Sequence, residues 1–146
     1  MRENMGLYRG KRTDNGEWVK GFYVHLYDHK GNESHRIYPG YAETDCGDYY
    51  PDWFEVDPET VGQFTVLTDK KGTNVFEGDI IRVNTDGQNI LGWVSFERSG
   101  FHFRFGKHGT ALLTEWAQPL EVIGNIHDNP ELLTKNTAID SPLDNG

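Results

Sequence analysis

The sequence predicts a mainly β protein, in which an N-terminal antiparallel hairpin or meander precedes a small barrel or sandwich and helices are limited to short turns. Aromatic residues make up 13% of the chain, which also contains 17 glycines. This balance favours strands and turns over helices. Short apolar stretches with period-two alternation recur along the chain, and Gly, Asn and Asp residues separate them. Such spacing is typical of antiparallel β folds.

The N-terminal hairpin is predicted from alternation and turn residues. Residues 21–27 place Phe22, Val24 and Leu26 on one face and Tyr23, His25 and Tyr27 on the other. This pattern is typical of a strand with two different faces. Turn signals at residues 14–16 and 28–32 bound the strand, so two or three antiparallel strands are expected.

Residues 39–58 are rich in Asp, Gly, Pro and Tyr and show no periodicity. We interpret this segment as an ordered acidic loop or a joint between subregions. Asp57 followed by Pro58 predicts a short helical turn, with Asp57 as its N-cap. The N-terminal region, with this loop, is expected to span residues 1–60.

Beyond residue 60 the strand signals become frequent. The apolar stretches are residues 64–68, 75–76, 80–83, 90–96, 101–105 and 120–126. We expect them to form the barrel region, residues 61–133. Pro130 predicts one helical turn, and residues 134–146 are expected to be a disordered tail because they have few apolar residues.

Charge and cysteine content restrict the classes of function. The net charge is −9, and residues 41–69 contain no Lys or Arg against eight Asp or Glu. Nucleic acids and anionic membranes require clustered cations, so neither is an expected partner. Cys46 is the single cysteine, and there is no apolar run of signal-peptide or membrane-span length. These features predict a cytoplasmic protein, since a lone thiol fits a reducing compartment.

The most informative segment is residues 69–81, DKKGTNVFEGDII. Gly72 and Gly78 can adopt a positive φ that strains other residues, and Asp79 is placed to accept backbone N–H groups inside the turn. Ile80 and Ile81 then begin a buried strand. Physically, the segment describes a corner between strands.

This segment resembles the signature of the YopX family, small proteins encoded by bacteriophages and prophages. Residues 8–11, 16–21, 122–126 and 129–133 are similar to the family's two ends. The family often has glycine where this chain has Val66, and Tyr where it has Phe76. The resemblance implies an SH3-like barrel over residues 61–128 and implies no activity or cofactor. The motif positions, which we expect to be structural, are Gly72, Phe76, Glu77, Gly78, Asp79, Ile80, Gly124 and Asn125.

Candidate chemical sites are few. His25, His29, His35 and Asp28 could converge across a hairpin, but their spacing matches no compact zinc pattern. We therefore expect surface histidines, and predict neither a metal nor a cofactor. Two sets of carboxylates could serve acid–base chemistry, namely Glu77 with Asp79 and the loop residues Asp45, Asp48 and Asp52. A corner role is expected instead for the first set, and solvation or contact with a basic partner for the second. Cys46 lies among acids, which disfavour its thiolate.

The segment from Tyr41 to Phe54 is the candidate interaction surface. Its aromatic anchors are Tyr49, Tyr50, Trp53 and Phe54, and its charges are Asp45, Asp48 and Asp52. Aromatic anchors with flanking charge are typical of protein interfaces. The sequence thus favours a non-catalytic module that binds a host protein or its own copies, and it could act as an acidic mimic of nucleic acid. A metal-dependent hydrolase or nuclease auxiliary using clustered carboxylates and a structural component of the phage particle remain open alternatives.

Overall fold

The structure is a computed structural model that describes residues 7–43, 49–98, 100–107, 109–113 and 119–139. Of residues 40–43, 49–52 and 135–139 the backbone alone is described. The predicted mainly β class is confirmed. The strands are β1 (Tyr8–Lys11), β2 (Trp18–Tyr27), β3 (Glu33–Glu43), β4 (Tyr49–Glu55), β5 (Gly62–Thr68), β6 (Asn74–Phe76), β7 (Asp79–Thr85), β8 (Gln88–Glu97), β9 (Gly100–Phe105), β10 (Gly109–Leu112) and β11 (Leu120–Asn125).

The strands form two antiparallel sheets. One has the order β4-β3-β2-β1-β5-β6 and the other β10-β9-β8-β7-β11. Among the described strands no pairing joins β10 to β11, so the barrel expected over residues 61–128 is not present as a closed barrel. The reason lies in strand pairing: Tyr8 of β1 lies opposite Gln63 of β5. This pairing places β5 and β6 in the six-stranded sheet.

The chain divides into two compact units, Met1–Phe64 and Thr65–Gly146. In the first unit Ile37 and Val56 are fully buried hydrophobic residues. Gly10 allows the backbone of β1 to approach them, because a Cβ atom on Gly10 would lie 3.1 Å from the Val56 Cβ. This small apolar centre lies near β1, and the hairpin of β2 and β3 extends from it.

The acidic segment 39–58 differs from the loop that we expected. It contains the end of β3 and all of β4, which pair from Glu43 opposite Tyr49 to Arg36 opposite Glu55, with a register shift between Ile37 and Gly40. Alternation is obscured by this irregularity. Pro51 lies in β4, which is an edge strand of its sheet, the position where strands most readily accept proline.

The turns that depend on neighbouring residues agree with the sequence predictions better than the acidic segment does. Asp57 Oδ1 accepts a hydrogen bond from the Glu59 N–H at 3.0 Å, and a 3₁₀ helix spans Pro58–Thr60. Asp86 and Gly87 connect β7 to β8 with φ values of 53° and 78°. Two consecutive positive φ angles are the geometry of the Asp-Gly hairpin turn.

The second unit holds the larger core. Its buried cluster consists of Val75, Ile81, Val83, Val94, Phe103, Leu113 and Leu120. Most of these side chains come from strands β7 to β11, so the five-stranded sheet packs one face on this cluster.

The helix α1 (Pro130–Ile139) is longer than the single turn predicted, and it includes the first six residues of the expected disordered tail. Pro130 at its first position lacks an N–H that would have no intrahelical partner, and Glu131 in the first turn favours the positive end of the helix dipole. No helix in the described part of the chain is long and apolar enough to cross a bilayer.

Asp69 connects the turn after β5 to β11. Its Oδ1 atom accepts the N–H groups of Lys71 and Thr73, each at 2.9 Å, and its Oδ2 atom accepts the Val122 N–H at 3.0 Å. Burial raises the pKa of this carboxyl, and the N–H donors of Val122, Thr73 and Lys71 outweigh burial, so the pKa lies below its ordinary value. The ionised carboxylate therefore belongs to the folded state.

Val66 is strained. Its φ of 72° lies in the left-handed region, which costs a β-branched residue about 1–3 kcal/mol. Its side chain is 47% exposed, so packing offsets little of that strain. This is the position where the YopX signature often has glycine.

We expect Val66→Gly to stabilise the fold by about 1 kcal/mol, because relief of strain exceeds the extra entropy that glycine has in the unfolded chain. The measurement is the free energy of unfolding in urea. Val66→Ala is the matched control, since alanine keeps a Cβ atom and should give no comparable gain. Equal stability of the two variants would contradict strain at this position.

We expect Asp69→Ala to destabilise the protein by about 1–3 kcal/mol, because three backbone N–H groups lose their acceptor. Urea unfolding followed by tryptophan fluorescence measures this loss. Asp86→Asn is the control, since Asp86 is exposed and asparagine tolerates its positive φ. A similar loss in both variants would show that Asp69 has no special role.

Candidate functional site

The β2–β3 hairpin presents chemically distinct side chains on its two faces. The strands pair with Phe22 opposite Tyr38 and His25 opposite His35. Directly opposed residues in an antiparallel pair point to the same face with Cβ atoms about 5 Å apart. His25 and His35 therefore share one face, and Phe22 lies on the other.

On the first face His25, Glu33 and His35 form a group that we call the histidine cluster. The imidazole rings of His25 and His35 stack with their centroids 4.1 Å apart. The His25 Nε2 atom lies 2.9 Å from Glu33 Oε1. The Tyr23 hydroxyl lies 2.6 Å from His35 Nδ1, and burial is the main cause that raises the pKa of Tyr23.

The structure brings together part of the set considered from the sequence. His25 and His35 converge, whereas Asp28 accepts the N–H groups of Lys30 and Asn32 within the hairpin turn. Hydrogen bonds from Asn32 and Lys30 lower the pKa of Asp28. His29 is not a member of the cluster. Glu33 was missed, although its two-residue offset from His35 is a signal that could have found it.

On the opposite face Phe22, Arg36 and Trp53 form what we call the aromatic face. Phe22 is 63% exposed and Trp53 is 43% exposed. The Arg36 guanidinium lies 3.9 Å from the centroid of the Trp53 ring, which is within the range of a cation–π interaction. Trp53 was singled out from the sequence, whereas Phe22 and Arg36 were not.

The other members of the predicted interaction surface are only partly described. Tyr49, Tyr50 and Asp52 belong to the first part of β4, residues 49–52, for which the backbone alone is described. Asp45 and Asp48, with Cys46, lie outside the described residues.

The motif residues lie at corners and in the core. Gly72 and Gly78 have φ values of 84° and 93°. Asp79 is 2% exposed, and its Oδ2 atom accepts the Phe76 N–H at 2.7 Å. Phe76 and Ile80 are buried. Asp79 thus stabilises the turn before β7, and its carboxylate is directed to backbone rather than to solvent.

The second half of the motif surrounds the turn after β11. A Cβ atom on Gly124 would lie 2.6 Å from Asn129 Oδ1, so a larger residue here would displace the side chain that accepts the Asn125 N–H. The Asn125 side-chain oxygen accepts the N–H groups of His127 and Asp128, each at 2.9 Å. These contacts give both residues a role in the turn that leads to α1.

Sequence reasoning missed a charged network in the second unit. Glu121 accepts from Lys71 Nζ at 2.7 Å and from Arg82 Nη2 at 2.5 Å, with Lys70 Nζ at 3.8 Å. A surface pocket of about 470 Å³ adjoins the network and is lined by Lys70, Arg82, Asn84, Asn89, Pro119 and Glu121. Lys71, Arg82 and Glu121 are far apart in sequence, so no local pattern indicates that they meet.

Hydrogen bonds from Lys71 and Arg82 lower the pKa of Glu121 to about 2. Because this value lies below the ordinary 4.5, the ionised carboxylate stabilises the folded state above about pH 4.5. This stabilisation is lost as the pH falls from there toward 2.

The fold defines a mainly β protein built from two antiparallel sheets. The model of the YopX protein family matches residues 7–134. The chain therefore belongs to the YopX family, as its sequence motifs indicated. No curated protein matches the chain at a significant level.

Two solved structures share the fold. Protein YopX from Bacillus subtilis is 16% identical, with a TM-score of 0.54 over 87% of this chain and 97% of its own. Protein EF1440 from Enterococcus faecalis is 21% identical, with a TM-score of 0.56 over 88% of this chain and 99% of its own. At these identities the similarity establishes the fold alone.

We expect Glu121→Gln to flatten the dependence of stability on pH between about 4.5 and 2, since the neutral amide has no carboxyl proton to gain. Urea unfolding midpoints at pH 5 and pH 3 measure the effect. Glu59→Gln, at an exposed acid of the 3₁₀ helix, is the control. If both variants keep the wild-type slope, Glu121 does not contribute to acid sensitivity.

Proposed function

We propose that the chain is a non-catalytic protein-interaction module that binds a host protein through the aromatic face. The observation that carries this proposal is the exposure of Phe22 and Trp53 on one side of the β2–β3–β4 sheet, with Arg36 stacked on the tryptophan. Trp and Arg are the residue types most enriched among interface hot spots.

The composition of the face supports binding rather than simple solubility. Phe22 and Trp53 are joined by the partly buried Val24 and Leu26, which share the face of Phe22 by alternation. An apolar group of this kind with a charged neighbour is typical of an interface centre, because its burial releases water from apolar surface.

The Arg36–Trp53 stack favours tight binding. The guanidinium lies over the indole ring at 3.9 Å, a contact that restrains rotation of the ring. A side chain that is ordered before association loses less conformational entropy when a partner binds. The face therefore presents a preformed anchor.

Charge favours a partner other than a second copy. Each copy has a net charge of −9, and two such chains repel each other. The segment that includes β4 lies in the stretch without Lys or Arg, so a cationic rim around an apolar centre would complement it. A host protein of this chemistry is the partner that we propose.

The alternatives have less support. A hydrolase using Glu77 and Asp79 would need a free pair of carboxylates, and Asp79 already accepts a backbone N–H inside the core. An acidic mimic of nucleic acid would use the same basic partner but depend on charge alone.

The strand order β11-β7-β8-β9-β10 supports an open SH3-like arrangement as the scaffold of the second unit.

We expect Trp53→Ala and Phe22→Ala each to weaken partner binding about thirtyfold or more, since hot-spot truncation removes about 2 kcal/mol or more. The tagged full-length protein would first capture its partner from bacterial host lysate. The dissociation constants of the purified pair would then be measured for each variant by calorimetry.

Phe96→Ala is the matched control, because Phe96 is 46% exposed in the other unit and should leave affinity unchanged. If the wild type keeps its partner at high salt and both the Trp53 and Phe22 variants lose binding, the result supports the aromatic face. A partner lost at high salt but unaffected by either variant would support the acidic mimic instead. Capture that none of the variants changes would contradict the proposal.

A further inference from the structure

We propose that the histidine cluster, His25, Glu33 and His35, binds a divalent transition-metal ion of the Zn²⁺ type. Each residue offers one donor atom, and no two of these atoms lie more than 4.8 Å apart. Within the described part of the chain this is the one group of three or more His, Cys, Asp or Glu side chains that meets this distance.

The spacing of the donor atoms fits coordination. With metal–ligand bonds of about 2.0–2.2 Å, the ligand atoms of a tetrahedral zinc site lie roughly 3.4 Å apart. The His25 Nε2 to Glu33 Oε1 distance of 2.9 Å and the 4.8 Å limit for the group bracket that value. The Glu33 side chain is 55% exposed, so its carboxylate has room to rotate toward a shared ion.

Backbone pairing places the two imidazoles next to each other. His25 and His35 are directly opposed residues of an antiparallel ladder. Their rings stack at an interplanar angle of 23°, so one ring turns out of the stack when both nitrogen lone pairs bind one ion. The ladder holds the ligands together without a metal, so binding does not have to pay the entropy of bringing two strands together. This arrangement explains why a site can form without a compact sequence motif.

Tyr23 provides the outer contact that metal-ligating histidines typically have. Its hydroxyl oxygen lies 2.6 Å from His35 Nδ1. When the Nδ1–H donates to that oxygen, the tautomer is fixed and the Nε2 lone pair is left for the metal. The Tyr23 ring also contacts the Tyr8 ring, with centroids 5.6 Å apart, which anchors it to β1.

The donor set selects the class of metal. Two imidazole nitrogens with one carboxylate oxygen suit Zn²⁺, Ni²⁺ or Cu²⁺, whereas Mg²⁺ and Ca²⁺ prefer oxygen ligands. The cluster lies at the surface, with the His25 side chain 35% and the Glu33 side chain 55% exposed. Water can therefore complete the coordination sphere.

The test is isothermal titration of the full-length, tag-free protein with ZnCl₂, and with MgCl₂ for comparison. We expect one saturable Zn²⁺ site and no Mg²⁺ site. His25→Ala, His35→Ala and Glu33→Gln should each weaken Zn²⁺ binding at least tenfold, and Tyr23→Phe should weaken it to a smaller extent. His29→Ala, in the same hairpin but outside the cluster, is the matched control and should bind as wild type.

Substitution with Co²⁺ supplies a second measurement that does not depend on binding heat. Intense visible absorption bands that disappear in Glu33→Gln would support direct coordination, and circular dichroism of each variant would establish that it remains folded. Three results would overturn the proposal: no saturable Zn²⁺ binding by the wild type, equal loss in His29→Ala, or only the weak spectrum of hydrated Co²⁺.

Discussion

The second unit depends on one buried carboxylate. Asp69 satisfies two N–H groups of its own turn and one N–H of Val122, which lies 53 residues later in the chain. The Lys70 N–H also donates to the Leu120 carbonyl at 3.0 Å. A single side chain thus closes a local turn and attaches β11 to it. Because β11 pairs with β7, the same contact positions the edge of the five-stranded sheet.

Although the net charge is negative, positive side chains gather next to this connection. The chain is strongly acidic, yet three cations surround Glu121 at the start of β11. Their attraction keeps Glu121 ionised well below its usual pKa. The turn and β11 are therefore held by backbone hydrogen bonds inside and by ion pairs at the surface, of which the ion pairs are the more sensitive to pH and salt.

The first unit has a small core and a hairpin that is exposed on both of its faces. Its small apolar centre around Ile37 and Val56 lies near β1, and toward the hairpin turn both sheet faces become accessible. The residues of the aromatic face lie on one side of the sheet, and the histidine cluster lies on the other side. Two-sided exposure of a β hairpin supplies two chemically independent surfaces from one pair of strands, because alternate residues point in opposite directions. Binding of a protein at one face and of a metal at the other would then be separable by mutation.

The sequence alone determined the features that depend on neighbouring residues. Alternation placed Phe22 and His25 on opposite faces, Asp57 and Pro58 predicted the 3₁₀ helix, and the Gly-Asp corner with its flanking motifs identified the YopX family. Tertiary structure decided what depends on distant residues: β4 in place of a loop, open sheets in place of a closed barrel, and the ion pairs of Glu121 with Lys71 and Arg82. The physical reason is that pairing register and ion pairs join residues tens of positions apart. Local propensity contains no information about such partners.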